Sequence, residues 1–196
     1  MPFVNPQSDN VQDYLNPCKY IDLDDPFIQQ KAADLAAVSN GKSELIENTY
    51  HFVQHQIVHS YFTADKKITL TASEALQNGS GICFSKANLL AALLRANDIP
   101  TGICYQRFNF LDGGEQKYSI HALNAVYLGG LIKWIRLDTR SSQLTVNNEV
   151  ALDKMMFNLS SRDEAEIDFD QIYCEPAPMV METLENNRYP FAEIEE

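Results

Sequence analysis

The chain has 196 residues, of which 45% are hydrophobic and 21% are charged. This length suits one domain with a substantial core, and the composition excludes global disorder. The chain carries 27 acidic residues against 15 basic ones, which gives a net charge of -12. We therefore expect neither nucleic acid nor an anionic membrane surface as a partner, because phosphate groups bind clustered lysine and arginine.

The N-terminal sequence MPFVNPQSDNVQDY has neither the basic nor the apolar region of a secretory signal. No apolar run approaches the roughly 20 residues that span a bilayer. We therefore expect a cytoplasmic protein without a membrane partner. The cysteines lie far apart and form no C-x-x-C pair, which is typical of reduced thiols rather than of a zinc site or a disulfide framework. They are Cys18, Cys83, Cys104 and Cys174.

The first half of the chain has the apolar spacing of helices. Residues 24–38 begin with two acidic residues and Pro26, which favour a helix start, and the SNG segment at 39–41 ends the helix. A second helix is predicted from Ser43 to His59, with Ser43 as its N-cap. Its apolar residues at i, i+4, i+7 and i+11 predict a core face, which consists of Ile46, Tyr50, Val53 and Ile57.

Two further helices are predicted before residue 100. The first is short, has Thr71 or Ser73 as its cap, and ends at the Asn78-Gly79 turn. The second runs from about Cys83 to about residue 96. It ends there because the residue before a proline, here at position 100, favours extended geometry.

After residue 100 the hydrophobic period changes to about two. The segments TGICYQRFNF, SIHALNAVYL and LIKWIRLD are rich in β-branched and aromatic residues and predict an antiparallel meander. From residue 140 the chain is loop-rich, with one short helix predicted in PMVMETLENN. We therefore predict an α+β fold in which N-terminal helices pack on an antiparallel β-sheet. Residues 1–196 form a single domain in this prediction, with a core over about 43–140 and an extension, 141–196, that wraps the core.

Cys83 follows the Gly79-Ser80-Gly81 segment and stands at the predicted start of the long helix. At that position the unpaired backbone N–H groups and the helix dipole stabilise a thiolate. The glycines permit a tight turn and close access for a substrate, which makes Gly81 a candidate for lining the cleft. This segment alone is equally compatible with a packed thiol, because lone cysteines are often core residues.

A histidine and an aspartate in the predicted hairpin supply partners for this thiol. If Gly129-Gly130 forms a two-residue turn, His121 lies directly opposite Asp138 on the neighbouring strand. Residues paired in this way share one face, and a carboxylate there can orient an imidazole as a general base. The alternative is that His121 is a satisfied core histidine and that Asp138 begins a turn.

A helix-start cysteine with a histidine and an acid on adjacent strands is the arrangement of thiol acyl-transfer enzymes. The segments GSGICFSKANLLAALLRANDIPTG, IHALNAVYL and WIRLDTR resemble the core of bacterial transglutaminase-like proteins, which share the papain-like cysteine-proteinase fold. The resemblance covers residues 72–140. It implies that Cys83 is the nucleophile, His121 the base and Asp138 the orienting acid.

This resemblance implies thiol-dependent acyl transfer at an amide bond, and we expect hydrolysis of a peptide or another amide-containing substrate. The mechanism requires no cofactor and no metal. Protein cross-linking by a transglutaminase reaction remains open, because it differs from hydrolysis only in the nucleophile that attacks the thioester. A catalytically silent binding or scaffold domain also remains open, since a fold does not establish an activity.

The tetrahedral intermediate of such a reaction needs donors for its oxyanion. The backbone N–H of Cys83 is one candidate. The HSYFTADKK segment offers His59, Ser60 and Tyr61 for the second. Trp134 shares its predicted strand face with Asp138 and is a candidate for lining the cleft and shielding the site from water.

A competing signal lies in the second predicted helix. There His51, His55 and His59 are spaced at i, i+4 and i+8, and such a stripe of imidazoles could bind a transition metal. The stripe lies opposite the apolar face and has no H-E-x-x-H pattern, which favours an ordinary solvated surface.

Overall fold

The computed structural model describes residues 5–63, 68–112, 115–130, 134–139 and 167–187. The helices are α1 Pro26–Ala37, α2 Lys42–Gln56, α3 Ala72–Asn78, α4 Cys83–Arg95 and α5 Pro178–Asn187. The strands are β1 Asn5–Pro6, β2 Val58–His59, β3 Ser80–Gly81, β4 Thr101–Asp112, β5 Glu115–Tyr127, β6 Trp134–Leu137, β7 Ile167–Asp168 and β8 Gln171–Ile172. Short 3-10 turns cover Val11–Leu15 and Ser60–Phe62.

The main sheet has the strand order β6-β5-β4-β7, and all its pairs are antiparallel. The predicted α+β fold, with helices before an antiparallel sheet, is therefore confirmed. Two smaller parallel pairs, β1 with β8 and β2 with β3, were not predicted. Strands of two residues contain too few side chains for an alternating pattern to be recognised in the sequence.

Helix α4 is the centre of the core. Its side chains from Phe84 to Arg95 are all buried, and the helix packs between α2, α3 and the sheet. The Asn124 side-chain amide on β5 donates to the carbonyl of Ala87 at 2.9 Å, which fixes the helix against the strand. A second, smaller apolar cluster includes Tyr14 and Leu123. The start of α4 is thereby held next to the sheet.

Of the two predicted helix caps, one agrees with the structure and one differs. Asp25 caps α1, and Thr71 caps α3 in a complete capping box with Glu74. The prediction that Ser43 caps the second helix is wrong, because α2 begins at Lys42 with Gly41 at the N-cap position. The backbone of Gly41 has a φ of 106°, which glycine adopts without strain.

The predicted core face of α2 is confirmed. Ile46, Tyr50, Val53 and Ile57 are all buried, although Ile57 is the C-cap residue rather than part of the helix. The helix ends at Gln56, three residues before the predicted end, and the chain continues into β2. The short helix predicted in PMVMETLENN is confirmed as α5. Most of the predicted extension 141–196 lies outside the described residues.

The register of the β5–β6 hairpin differs from the prediction by two residues. Tyr127 faces Trp134 and Asn124 faces Leu137, which is not the register of a two-residue Gly129-Gly130 turn. In this register the position of Asp138 faces Leu123, and the prediction that Asp138 lies directly opposite His121 is wrong. The shift moves the partner by an even number of residues, which keeps His121 and Asp138 on one face as diagonal neighbours.

Candidate active site

Cys83 occupies the first position of α4 and is half-buried. Its N-cap residue, Ile82, makes no side-chain cap hydrogen bond. The first N–H groups of a helix have no partner within the helix, so they can stabilise negative charge on a thiolate or on an oxyanion beside it. The structure thus places the sulfur where the sequence predicted it, at the start of the buried helix.

Gly81 is buried beneath the first turn of α4. A Cβ atom at this position would lie 2.5 Å from the Ser85 Oγ and 3.2 Å from the Thr69 Oγ1. The two hydroxyls are themselves joined, since Thr69 Oγ1 donates to Ser85 Oγ at 2.9 Å. The structure therefore gives Gly81 a packing role that brings the helix start close to Thr69.

We expect Gly81→Ala to lower the free energy of unfolding by about 1–3 kcal/mol, because the added methyl overpacks this contact. Denaturant unfolding measures the change. The double variant Gly81→Ala with Ser85→Ala is the control, since it removes the hydroxyl at 2.5 Å and is expected to recover part of the loss. Equal stability of Gly81→Ala and wild type would contradict the packing role.

His121 and Asp138 form a buried pair. The His121 Nε2 lies 2.9 Å from the Asp138 Oδ1, and the two residues are 3% and 9% exposed. The Asp138 carbonyl accepts a hydrogen bond of 2.9 Å from the Tyr50 hydroxyl, which ties the end of β6 to α2. Burial and the Asp138 charge raise the pKa of Tyr50 to about 12, so this hydroxyl stays protonated and continues to donate.

The charge of His121 is set by opposing effects. Burial lowers the pKa of the imidazole, whereas the Asp138 charge and hydrogen bond, together with the side chain of Cys83, raise the pKa to about 9. The imidazole is therefore protonated at neutral pH. Since the Asp138 carboxylate is hydrogen-bonded to Nε2, the other ring nitrogen, Nδ1, is the one available to interact with Cys83.

Lys86 is a further buried cation in this region that was not predicted from the sequence. It is 4% exposed, and its Nζ donates to the carbonyl of Ile57 at 2.8 Å. Burial lowers the pKa of Lys86 to about 8, against the opposing effects of Asp138 and Cys83. The signal in the sequence is that Lys86 is the one charged residue within the apolar run from Cys83 to Leu94. Lysine is normally exposed, so this signal alone could not place it in the site.

The candidates for the second oxyanion donor lie beside the strand that leads into Cys83. β2 pairs with β3 so that His59 faces Gly81, and continuing this register places Ser60 beside Ile82. Ser60 is 2% exposed, and within the described residues its hydroxyl has no hydrogen-bond partner. Burial, Lys86 and His121 lower the pKa of His59, which keeps its imidazole neutral at pH 7. The side chain of Tyr61 lies outside the described structure.

Trp134 packs against the second apolar cluster. Its ring centroid is 4.7 Å from that of Tyr14 and 5.2 Å from that of Tyr127. These contacts explain its position as packing, and they give no support to the prediction that it shields the site.

The predicted stripe of three histidines does not form. His51 and His55 stack on α2 with ring centroids 5.7 Å apart, but His59 lies beyond the helix end on β2. Within the described residues there is no group of three or more side chains suited to hold a metal ion. The alternative of a three-histidine metal site on one helix is therefore wrong, because α2 ends at Gln56.

The site consists of a cysteine at the start of a buried helix and a histidine–carboxylate pair on an antiparallel hairpin. Together with the fold, it defines the class of protein: an α+β fold of the papain-like type. The model of the Transglutaminase-like superfamily matches residues 29–139, which is more than half of the chain. The protein belongs to this superfamily. The matched region includes Cys83, His121 and Asp138.

Two solved structures match part of this chain, and the first of them has a similar fold. A candidate cysteine protease from Cytophaga hutchinsonii has a TM-score of 0.53 at 21% identity, and the match covers 68% of this chain and 43% of that one. The periplasmic domain of TgpA from Pseudomonas aeruginosa has a TM-score of 0.48 at 18% identity, with 65% and 47% covered. The chain thus corresponds to less than half the length of either protein.

No functionally curated protein matches the sequence. At the identities of the solved structures, the likeness concerns the fold alone. Among the described residues, no helix is both long and apolar enough to cross a membrane.

Proposed function

We propose that this protein is a thiol-dependent acyl-transfer enzyme that hydrolyses an amide bond of a peptide or peptide-like substrate. The observation that carries the proposal is the buried imidazole of His121, which interacts with Asp138 on one side and Cys83 on the other. A protonated imidazole beside a helix-start thiol favours the ion pair of thiolate and imidazolium.

In the first half of the reaction, the Cys83 sulfur forms a bond to the carbonyl carbon of the substrate. The carbon–nitrogen bond of the amide then breaks, and the His121 imidazolium gives its proton to the leaving amine. The acyl group is left as a thioester on Cys83. In the second half, neutral His121 takes a proton from water as the water oxygen attacks the thioester, which releases the carboxylic acid and restores the thiolate–imidazolium pair.

Asp138 and the helix start support these steps. The Asp138 carboxylate holds one tautomer and orientation of the imidazole and stabilises its charged form. The Cys83 N–H is one donor for the oxyanion of the tetrahedral intermediate. For the second we favour Ser60 over His59 and Tyr61, because its buried hydroxyl has no hydrogen-bond partner among the described residues.

Hydrolysis is proposed ahead of cross-linking on simple chemical grounds. Water attacks the thioester without a dedicated binding site, whereas transamidation requires a second site that binds an amine and excludes water. We also propose that the substrate is peptide-like and that the protein is located in the cytoplasm, as expected from the sequence.

The test is intact-protein mass spectrometry after exposure to a panel of activated acyl esters and short peptides. We expect an acyl adduct on the wild-type protein and no adduct on Cys83→Ala. Cys18→Ala, which removes another half-buried thiol, is the matched control and is expected to retain the adduct. Loss of the adduct with time in buffer alone supports hydrolysis, and transfer of the acyl group only to added glycine amide supports transamidation instead. An adduct that persists on Cys83→Ala would overturn the proposal.

A further inference from the structure

Lys86 is held in place by the end of a neighbouring helix. Its Nζ donates to the carbonyls of Ile57 and Gln54, at 2.8 and 3.4 Å, where α2 ends. The carbonyl end of a helix attracts positive charge, so the ammonium has a fixed and favourable anchor. Lys86 follows Cys83 by three residues on α4, and residues with this spacing lie on the same side of a helix. The anchor thus keeps a cation on the side of the helix that carries the thiol.

The charged groups that interact with this cation lie on three neighbouring parts of the fold. Cys83 lies on α4, Asp138 lies just after β6, and His59 lies on β2. The charges of Asp138 and Cys83 favour the protonated form of Lys86, and Lys86 in turn disfavours the protonated form of His59. The ammonium therefore acts electrostatically on the same groups that surround the thiol.

The balance of charge shows why such a cation is useful. When Cys83 is a thiolate, the site contains two negative charges, on Cys83 and Asp138, but His121 supplies only one positive charge. An unbalanced charge in a buried site lowers the stability of the fold, because the surrounding protein solvates the charge poorly. Lys86 supplies the second positive charge. Burial opposes the charged state of this lysine, so the cation is retained at some cost in stability, as is common at functional sites.

We propose that Lys86 is a positioning residue for the reactive thiol: its ammonium, fixed by the carbonyl end of α2, balances the second negative charge that appears when Cys83 ionises. This inference rests on the proposed function, since it concerns the reactivity of Cys83. The competing role is purely structural, in which Lys86 only caps α2. The two roles differ in one respect: only the electrostatic role links the ionisation of Lys86 to that of Cys83.

The experiment measures the pH dependence of Cys83 alkylation by iodoacetamide, resolved by peptide mass spectrometry. In Lys86→Met we expect the midpoint of the pH profile to move upward by about one unit, which is about a tenfold lower rate below the midpoint. Lys86→Arg keeps the charge and is expected to retain most of the wild-type profile. Lys42→Met is the matched control, because Lys42 Nζ also donates to a carbonyl, that of Tyr127 at 3.0 Å, but is exposed.

An unchanged midpoint in Lys86→Met, with an activated Cys83 in the wild type, would overturn the role of Lys86 and leave the proposed function intact. A wild-type Cys83 that reacts only as fast as a free thiol would overturn both. A second measurement does not depend on Lys86 variants being folded. Coupling between two ionisations is reciprocal, so Cys83→Ser should lower the pH at which the Lys86 ammonium titrates by NMR. An identical Lys86 titration in wild type and Cys83→Ser would also overturn the inference.

Discussion

We expect His121→Ala to lower the rate of Cys83 alkylation at neutral pH by about 100-fold or more, the lower end of what a positioned acid–base group contributes. The physical reason is that the imidazolium stabilises the thiolate, and alanine supplies neither charge nor hydrogen bond. Site-resolved alkylation by mass spectrometry measures the rate, and Cys18 in the same sample serves as an internal reference thiol.

Because His121 is buried, the alanine variant also leaves the Asp138 carboxylate without its partner and lowers stability. Circular dichroism must therefore show a folded variant before the rates are compared. Added imidazole that enters the cavity is expected to restore part of the rate. His55→Ala, which removes an exposed imidazole on α2, is the matched control and should alkylate like the wild type. If His121→Ala and His55→Ala react equally fast, Cys83 is not activated by the histidine.

We expect Asp138→Asn to move the titration of His121 from about pH 9 to below its ordinary range. Asparagine keeps an acceptor for the imidazole N–H but removes the negative charge, so the lowering of the pKa by burial then dominates. NMR titration of the His121 ring measures the shift directly. Neutral-pH alkylation of Cys83 should fall by about tenfold or more, in proportion to the lost imidazolium.

The same substitution has a definite pH dependence in stability. A histidine whose folded pKa is raised contributes stability that is fully present below its unfolded pKa, about 6.5, and is lost as the pH rises through the folded value. For His121 that folded value is about 9. The difference in unfolding free energy between wild type and Asp138→Asn should therefore be larger at pH 6 than at pH 10. A difference that grows with pH would contradict the charge assigned to this pair.

The helical half of the chain was the more predictable one. Asp25 and Thr71 are caps whose side chains bond the first turn of their own helices, and the four apolar residues of α2 lie at helical spacing. These are interactions between neighbours in sequence, so a short window contains them. The wrong cap at Ser43 shows the limit of such signals, because Gly41 caps α2 by its backbone conformation.

The hairpin was predictable in its strands but not in its register. The alternation of apolar and polar residues identified β5 and β6. Because the register shift is an even number of residues, His121 and Asp138 stay on one face of the sheet. The glycine pair at 129–130 suggested the shortest turn, whereas the strands pair Tyr127 with Trp134, in a different register. Turn length depends on how the strands pack on the rest of the fold, and no local pattern records it.

By itself, the sequence determined the superfamily, the α+β fold and the three residues that the structure brings together at the start of α4. The fold follows from local periodicity, and the superfamily follows from the resemblance of the segments around these three residues to transglutaminase-like proteins. The tertiary structure alone decided the diagonal geometry of His121 and Asp138, the packing role of Gly81 and the presence of Lys86 beside the thiol. Each depends on contacts between segments distant in the chain, and the burial that sets their charges and spacing exists only once those segments have packed.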